Sequence, residues 1–163
     1  MNEFENKVKS LKINFKETSW RKELPSKAGW YLIKTDTPIE VLKSVGKSKH
    51  KAHTDIPKAI NANSELQNIG ITISPEKKGD SYIVYNGETR NLKARAREHM
   101  NGHPKTYCLG LAEYKELYKY SWEFCYVLTC ELFVGKKQDD KQLRLAVEQM
   151  WRVKNGWPIL SKK

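Results

Sequence analysis

The chain has 163 residues and a formal charge of +11, from 30 Lys and Arg against 19 Asp and Glu. That length suits one domain with a core of its own, and the positive excess favours a polyanionic partner, either nucleic acid or a membrane surface. No run approaches the ~18 apolar residues of a spanning helix, and the start MNEFENKVKSLKINF lacks the apolar stretch of a signal peptide.

Residues 2–24 mix charge with Phe4, Val8, Leu11, Ile13, Phe15 and Trp20, and predict a short helix followed by an irregular or extended segment. Pro25 and Gly29 punctuate before Trp30-Tyr31-Leu32-Ile33-Lys34, a strand by its aromatic and β-branched content. Short helices are expected over Pro38 to Val45 and Pro57 to Leu66, with the basic loop Lys47-Ser48-Lys49-His50-Lys51 between them. Gly70 to Ile73 predicts another short strand, and Pro75 to Asp80 a loop.

The run Tyr82-Ile83-Val84-Tyr85 is a further strand, ended by Asn86-Gly87. Two continuations are open. Thr89 can cap a following helix, or Asn-Gly can turn a hairpin over Val84 to Thr89. In the helical reading Leu92, Arg95, Ala96 and His99 share a spacing, and Arg95 and His99 project from one face toward the end of the preceding strand. A cation and an imidazole there suit a phosphate, although basic residues on a helix also make ordinary solvated faces. Gly102 is placed to stop the helix.

Leu111, Tyr114, Leu117 and Tyr118 fall at helical spacing, and Tyr120 to Val134 alternates as a strand with Trp122, Phe124, Tyr126 and Leu128 on one face. Asp139 or Asp140 can cap a last helix, whose Leu143, Ala146, Val147, Met150, Trp151 and Val153 form an apolar stripe expected to be core. Glu148 falls at the margin of that stripe. Cys108, Cys125 and Cys130 include no Cys-x-x-Cys, which fits reduced thiols in a cytoplasmic protein, two of them in the core. The expected fold is α+β: about three mostly antiparallel strands flanked by helices, one domain over 1–163. Residues 1–28 form an N-terminal extension, and residues 35–80 an insertion between the first two motif strands.

With these elements placed, the chain resembles the GIY-YIG nuclease family. Gly29-Trp30-Tyr31 stands for the family's first strand motif and Tyr85-Asn86-Gly87 for its second. Thr89, Asn91-Leu92, Arg95 and His99 follow at the family's spacing. Glu148 on a helix, then Trp157-Pro158-Ile159-Leu160 and Ser161, occupy the positions of the family's Glu and its Pro-containing ending. The likeness runs from about Gly29 to the end. Trp30 and Asn86 replace the usual aliphatic residues, Glu88 is acidic where the family is neutral, and Ser161 replaces an Asn. The connection from Lys34 to Ser81 is far longer than the family's tight hairpin.

The resemblance implies phosphodiester hydrolysis with one divalent cation, Mg²⁺ or Mn²⁺, held by Glu148 alone, consistent with a hard cation that keeps several waters. Arg95 would grip the scissile phosphate with its planar fork. Tyr31 is the candidate general base, with Tyr85 nearby. An unperturbed phenol titrates near 10, so Arg95, His99 or the metal-bound water must ease its proton removal.

Each residue also has a plainer reading. Tyr31 and Tyr85 are ordinary cross-strand packing residues, and Glu148 pairs at the surface with Arg144 or Arg152. His99 and His103 have a zinc-like spacing, but Met-Asn-Gly between them lacks the catalytic Glu and Gly102 breaks the helix.

DNA contacts are expected from Lys47, Lys49 and Lys51 in the insertion and from Arg90, Lys93 and Arg97 on the motif helix. The amides of Asn61, Asn63 and Gln67 are suited to adenine edges. The expected function is a metal-dependent DNA endonuclease, of restriction type, with no membrane partner and as monomer or homodimer. The alternatives are a nucleic-acid-binding module without catalysis on the same scaffold, and a basic adaptor for another polyanion.

Overall fold

Four short runs with alternating or wholly apolar side chains assemble into one antiparallel sheet. The computed structural model describes residues 2–48, 54–77, 80–133 and 140–162. Strands β1 (Lys9–Lys12), β2 (Gly29–Thr35), β3 (Tyr82–Thr89) and β4 (Trp122–Leu128) lie in the order β1-β4-β2-β3. The described helices are α1 (Asn2–Lys7), α2 (Ile39–Ser44), α3 (Ile56–Ser64), α4 (Leu92–Asn101), α5 (Thr129–Leu132) and α6 (Lys141–Asn155). The fold is therefore α+β, with a fourth strand beyond the three expected. β1 carries a single half-buried apolar residue, Leu11, between exposed Lys and Ser, which is how an edge strand reads when nothing packs on its outer side.

β2 is central and buried along nearly its whole length. On one face Tyr31, Ile33, Val84, Tyr85, Trp122 and Phe124 form the main core. On the other, Trp30, Leu32, Cys125 and Val127 meet Trp151 of α6, whose ring stands edge-on to Trp30 at 6.1 Å. The register slips between Ile33 and Lys34, pairing Ile33 with Tyr85 but Lys34 with Ile83. This bulge leaves Val84 as the extra residue, so Val84 and Tyr85 both reach the main core despite being adjacent. The carbonyl of Val84 then accepts from the Leu160 N–H at 2.8 Å.

Several sequence expectations shift. β3 does not end at Asn86-Gly87 but continues to Thr89, and no hairpin forms there. Thr89 does not cap α4. Its hydroxyl accepts from the Asn91 N–H, and Asn91 caps the helix by accepting from Ala94 N–H at 2.9 Å. Leu111 to Lys119 folds as two 3₁₀ turns rather than a helix, interrupted at Tyr114. Gly70 to Ile73 contributes one bridge, Ile73 to Trp157, not a strand. β4 ends at Leu128, where the chain turns into α5.

The largest revision concerns α6, capped by Asp140. Its expected apolar stripe is only partly inward: Trp151 is buried and Val147 packs against the same cluster, but Met150 and Val153 are 61% and 88% exposed. The buried residues are Arg144, Glu148, Trp151 and Arg152, a mostly charged stripe at helical spacing.

Candidate active site

β3 is the edge of the sheet, so side chains from both layers can reach round it to the same place. Tyr31 on β2 lies directly opposite Gly87, and a Cβ at Gly87 would stand 2.5 Å from the Tyr31 hydroxyl. Glycine here is a requirement of close approach, since the phenol occupies the space a side chain would take. The Tyr31 and Tyr85 rings stack with centroids 6.1 Å apart.

The α4 side chains meet these phenols as the spacing implies. Arg95 Nε donates to the Tyr31 hydroxyl at 2.9 Å, and its Nη2 approaches the Tyr85 hydroxyl at 3.5 Å. Glu98 and the Tyr107 carbonyl accept from the rest of the guanidinium, at 2.8 and 2.6 Å. His99 is buried behind Tyr31, with Nε2 2.9 Å from the phenol oxygen. The Leu109 N–H donates to His99 Nδ1, which assigns the proton to Nε2 in the neutral ring. Tyr31 oxygen thus accepts two N–H donors. His99 serves by orienting the phenol rather than by lining the pocket. It does not pair with His103 for a metal, because both its nitrogens are engaged within the protein.

From the other layer, the α6 charges arrive in order. Arg144 Nε donates to Glu88 at 2.6 Å, Glu148 pairs with Arg152 Nη2 at 2.5 Å, and Arg152 Nε donates to the Asn86 side-chain oxygen at 2.9 Å. Arg152 also lies on the Trp157 ring, 4.1 Å from its centroid. Glu148 does pair with Arg152 as its spacing allows, but in a buried setting rather than at the surface. Two of the residues that differ from the motif the chain resembles meet here: Ser161 Oγ accepts from the Asn86 N–H and donates to the Asn86 side-chain oxygen, both at 3.0 Å.

Tyr31, Tyr85, Arg95, Glu148, Arg152 and Lys162 line one pocket of about 460 Å³. Burial drives the electrostatics. It raises Tyr31 well above the ordinary phenol range, with Tyr85 adding to the rise and Arg95 opposing it. It likewise raises Tyr85, against Arg95. His99 is pushed well below the usual imidazole value by burial and by Arg95. Glu148 is raised by burial, only partly offset by Arg152. For Arg95, burial works against the charge but is outweighed by the two phenol oxygens and Glu98, so it stays cationic.

A single Mg²⁺ fits the donor set. Glu148 offers a hard carboxylate that burial leaves under-neutralised even beside Arg152, while Glu88 is tied to Arg144. Among the described residues no group of three or more His, Cys, Asp or Glu comes together, and of the two carboxylates that line the pocket Glu88 is held by Arg144.

The remaining expected contacts lie elsewhere. Lys93 and Arg97 are on another side of α4, with Arg21 and Lys22. Arg90 and Lys47 are exposed; Lys49 and Lys51 lie outside the described residues. Asn61 and Gln67 are exposed, but Asn63 is buried and its amide donates to the Ile159 and Ser161 carbonyls, each at 2.8 Å, so it does not read bases. The sequence reading missed Arg152 and Lys162 as pocket residues. The 144-148-152 spacing of charges on one helix was the signal for Arg152; nothing marked Lys162.

Cys108, Cys125 and Cys130 are free thiols, the first two buried. Among the described residues no helix is long and apolar enough to cross a membrane. No family model matches this chain, and no curated protein or solved structure gives a significant match.

Proposed function

We propose that this protein is a metal-dependent endonuclease that hydrolyses phosphodiester bonds in DNA, of restriction type, working in the manner of the GIY-YIG family it resembles. The observation that carries the reading is the convergence of Tyr31, Tyr85, Arg95 and Glu148 on one pocket, with the Tyr31 oxygen held by Arg95 and His99.

In this reading Arg95 receives the scissile phosphate. Its Nη2 contact to Tyr85 is long and weak, so that donor turns to a phosphate oxygen at little cost. Tyr31 acts as general base once its own proton has passed to solvent in the open pocket. The two N–H donors on its oxygen stabilise the phenolate and oppose the burial that otherwise keeps the phenol neutral. The phenolate takes a proton from water, the water oxygen bonds to phosphorus, and the ester oxygen departs with the bonding electrons. Glu148 would hold the cation, which supplies charge neutralisation at the phosphate and the leaving oxygen. Arg152, paired with Glu148 and locked on Asn86 and Trp157, keeps that carboxylate aimed into the pocket.

Incubation with plasmid DNA, with and without Mg²⁺, tests this directly. Wild-type protein should cut only with metal, and Glu148→Gln should lose cleavage while binding DNA as well or better, because a negative charge is gone. Arg95→Ala should also lose turnover. The Glu148–Arg152 pair favours one alternative, a scaffold that binds nucleic acid with its carboxylate permanently satisfied by arginine. Metal-independent binding without any nicking by the wild type would select that alternative.

A further inference from the structure

Helix α4 presents a second basic surface that the catalytic reading does not use. Lys93 and Arg97 leave the helix about 200° round from Arg95, so no single phosphate can touch both sets. They face the 3₁₀ turn Ser19–Glu23, where Arg21 and Lys22 complete a pocket of about 430 Å³ that also presents the hydroxyls of Thr18 and Ser26. No carboxylate lines it, although the chain carries 19 acidic residues. Arg21 Nη1 is buried there without a hydrogen-bond partner. Burial, with the charge of Arg97 nearby, holds the Arg21 pKa below its usual value.

Four cations gathered round one hollow repel one another, and a buried guanidinium N–H without an acceptor is costly. An anion in the hollow would relieve that repulsion. The backbone leaves recognition to the side chains, because the first amides of α4 are already used: Leu92 N–H donates to the Lys27 carbonyl, Lys93 N–H to that of Pro25, and Ala94 N–H to Asn91. Two guanidinium forks, two ammonium groups and two hydroxyls match the several oxygens and the charge of a phosphate.

We propose that this pocket is a second phosphate seat, built by the N-terminal extension and α4, that holds a DNA backbone phosphate other than the one cleaved. It rests on the reading of DNA as the substrate, and it gives residues 18–26 a function in grip that the catalytic pocket lacks.

The test is made without divalent metal, so that it reads binding alone. Affinity of a fluorescent short duplex is measured across a salt series for the wild type and for Arg21→Gln/Arg97→Gln. Each lost phosphate contact should reduce the magnitude of the log K against log salt slope by about 0.9. Amide resonances of residues 19–26 and 91–97 should shift when the duplex is added to wild-type protein, and inorganic phosphate should move the same amides only at far higher concentration. If the double variant fails to fold, Lys93→Gln/Arg97→Gln reads the same slope from more accessible positions. An unchanged slope overturns the proposal, as does tight binding of inorganic phosphate with no effect on the duplex. A variant that keeps the slope while wild-type protein cuts DNA removes the seat and leaves the nuclease. A slope that falls in a protein that never cuts does the reverse.

Discussion

Tyr31 and His99 share one buried hydrogen bond that bears on the fold and on the proposed chemistry alike. Tyr31 needs donors on its oxygen, and His99 supplies one only as the neutral Nε2–H form, fixed by the Leu109 amide. Burial and Arg95 keep the ring neutral by lowering its pKa well below 6.5. The sign of the consequence is definite. Below about pH 6.5 the unfolded chain takes up a proton at His99 that the folded chain refuses. Stability is therefore complete above that value and is lost as pH falls from it toward the folded pKa, by up to about 1.4 kcal/mol per pH unit from this group. Urea unfolding midpoints of wild type and His99→Gln between neutral pH and about pH 5 measure the effect. The wild type should lose stability more steeply, by up to one proton's slope. Parallel lines for the two proteins would show that His99 is not held neutral.

At the scale of the element, α4 carries Arg95 and His99 on one face and Lys93 and Arg97 on another, so its start must be fixed. Asn91 fixes it, accepting from Ala94 N–H from an extended backbone. Asn91→Ala should cost about 1 kcal/mol, seen as a lower thermal midpoint, whereas Asn91→Asp should keep most of the cap. Equal loss in both would move the cap elsewhere. This helix was legible in the sequence because its buried residues, Leu92, Ala96, His99 and Met100, keep helical spacing. β2 and β4 were legible because Trp30 to Ile33 and nearly every residue of β4 are apolar or aromatic. The rotation of α6 was not: Met150 and Val153 signal core by hydrophobicity, but the pairings of Arg144 with Glu88 and of Arg152 with Asn86, together with Trp151 against Trp30, set which side faces the sheet. The bulge at Val84 was likewise hidden, since it depends on the tail meeting that carbonyl, a contact 76 residues away in sequence. The convergence of Tyr31, Tyr85, Arg95 and Glu148 could be expected only from the family resemblance, and the buried Arg152 that pairs with Glu148 not even from that.

For the whole molecule, the insertion between β2 and β3 acts as a brace on the chain's end. Trp157 N–H donates to the Thr72 carbonyl at 2.8 Å and Ser74 N–H to that of Trp157 at 2.9 Å. Gly156, at φ +88°, permits this approach, since a Cβ there would stand 2.7 Å from Ser74 N. Asn63 of α3 adds its two bonds to the carbonyls of Ile159 and Ser161. The braced tail in turn holds β3, through Leu160 to Val84 and Ser161 to Asn86, beside Tyr31. Removing the Asn63 amide takes its donor from the Ile159 carbonyl and leaves the Ser161 carbonyl only the longer bond from Trp157 Nε1 at 3.4 Å, at a cost of about 1–3 kcal/mol. Because residues 157–161 are held to the insertion and to β3 by these few bonds, that cost should appear as local opening. Asn63→Ala should therefore speed hydrogen exchange at Leu160 and Asn86 far more than at Ile33 in the central strand, and it should lower cleavage although Asn63 does not line the pocket. Asn61→Ala, on the same helix but exposed, should change neither. Uniform acceleration at all three amides would mean that Asn63 supports the core as a whole, and unchanged exchange at Leu160 would remove the brace.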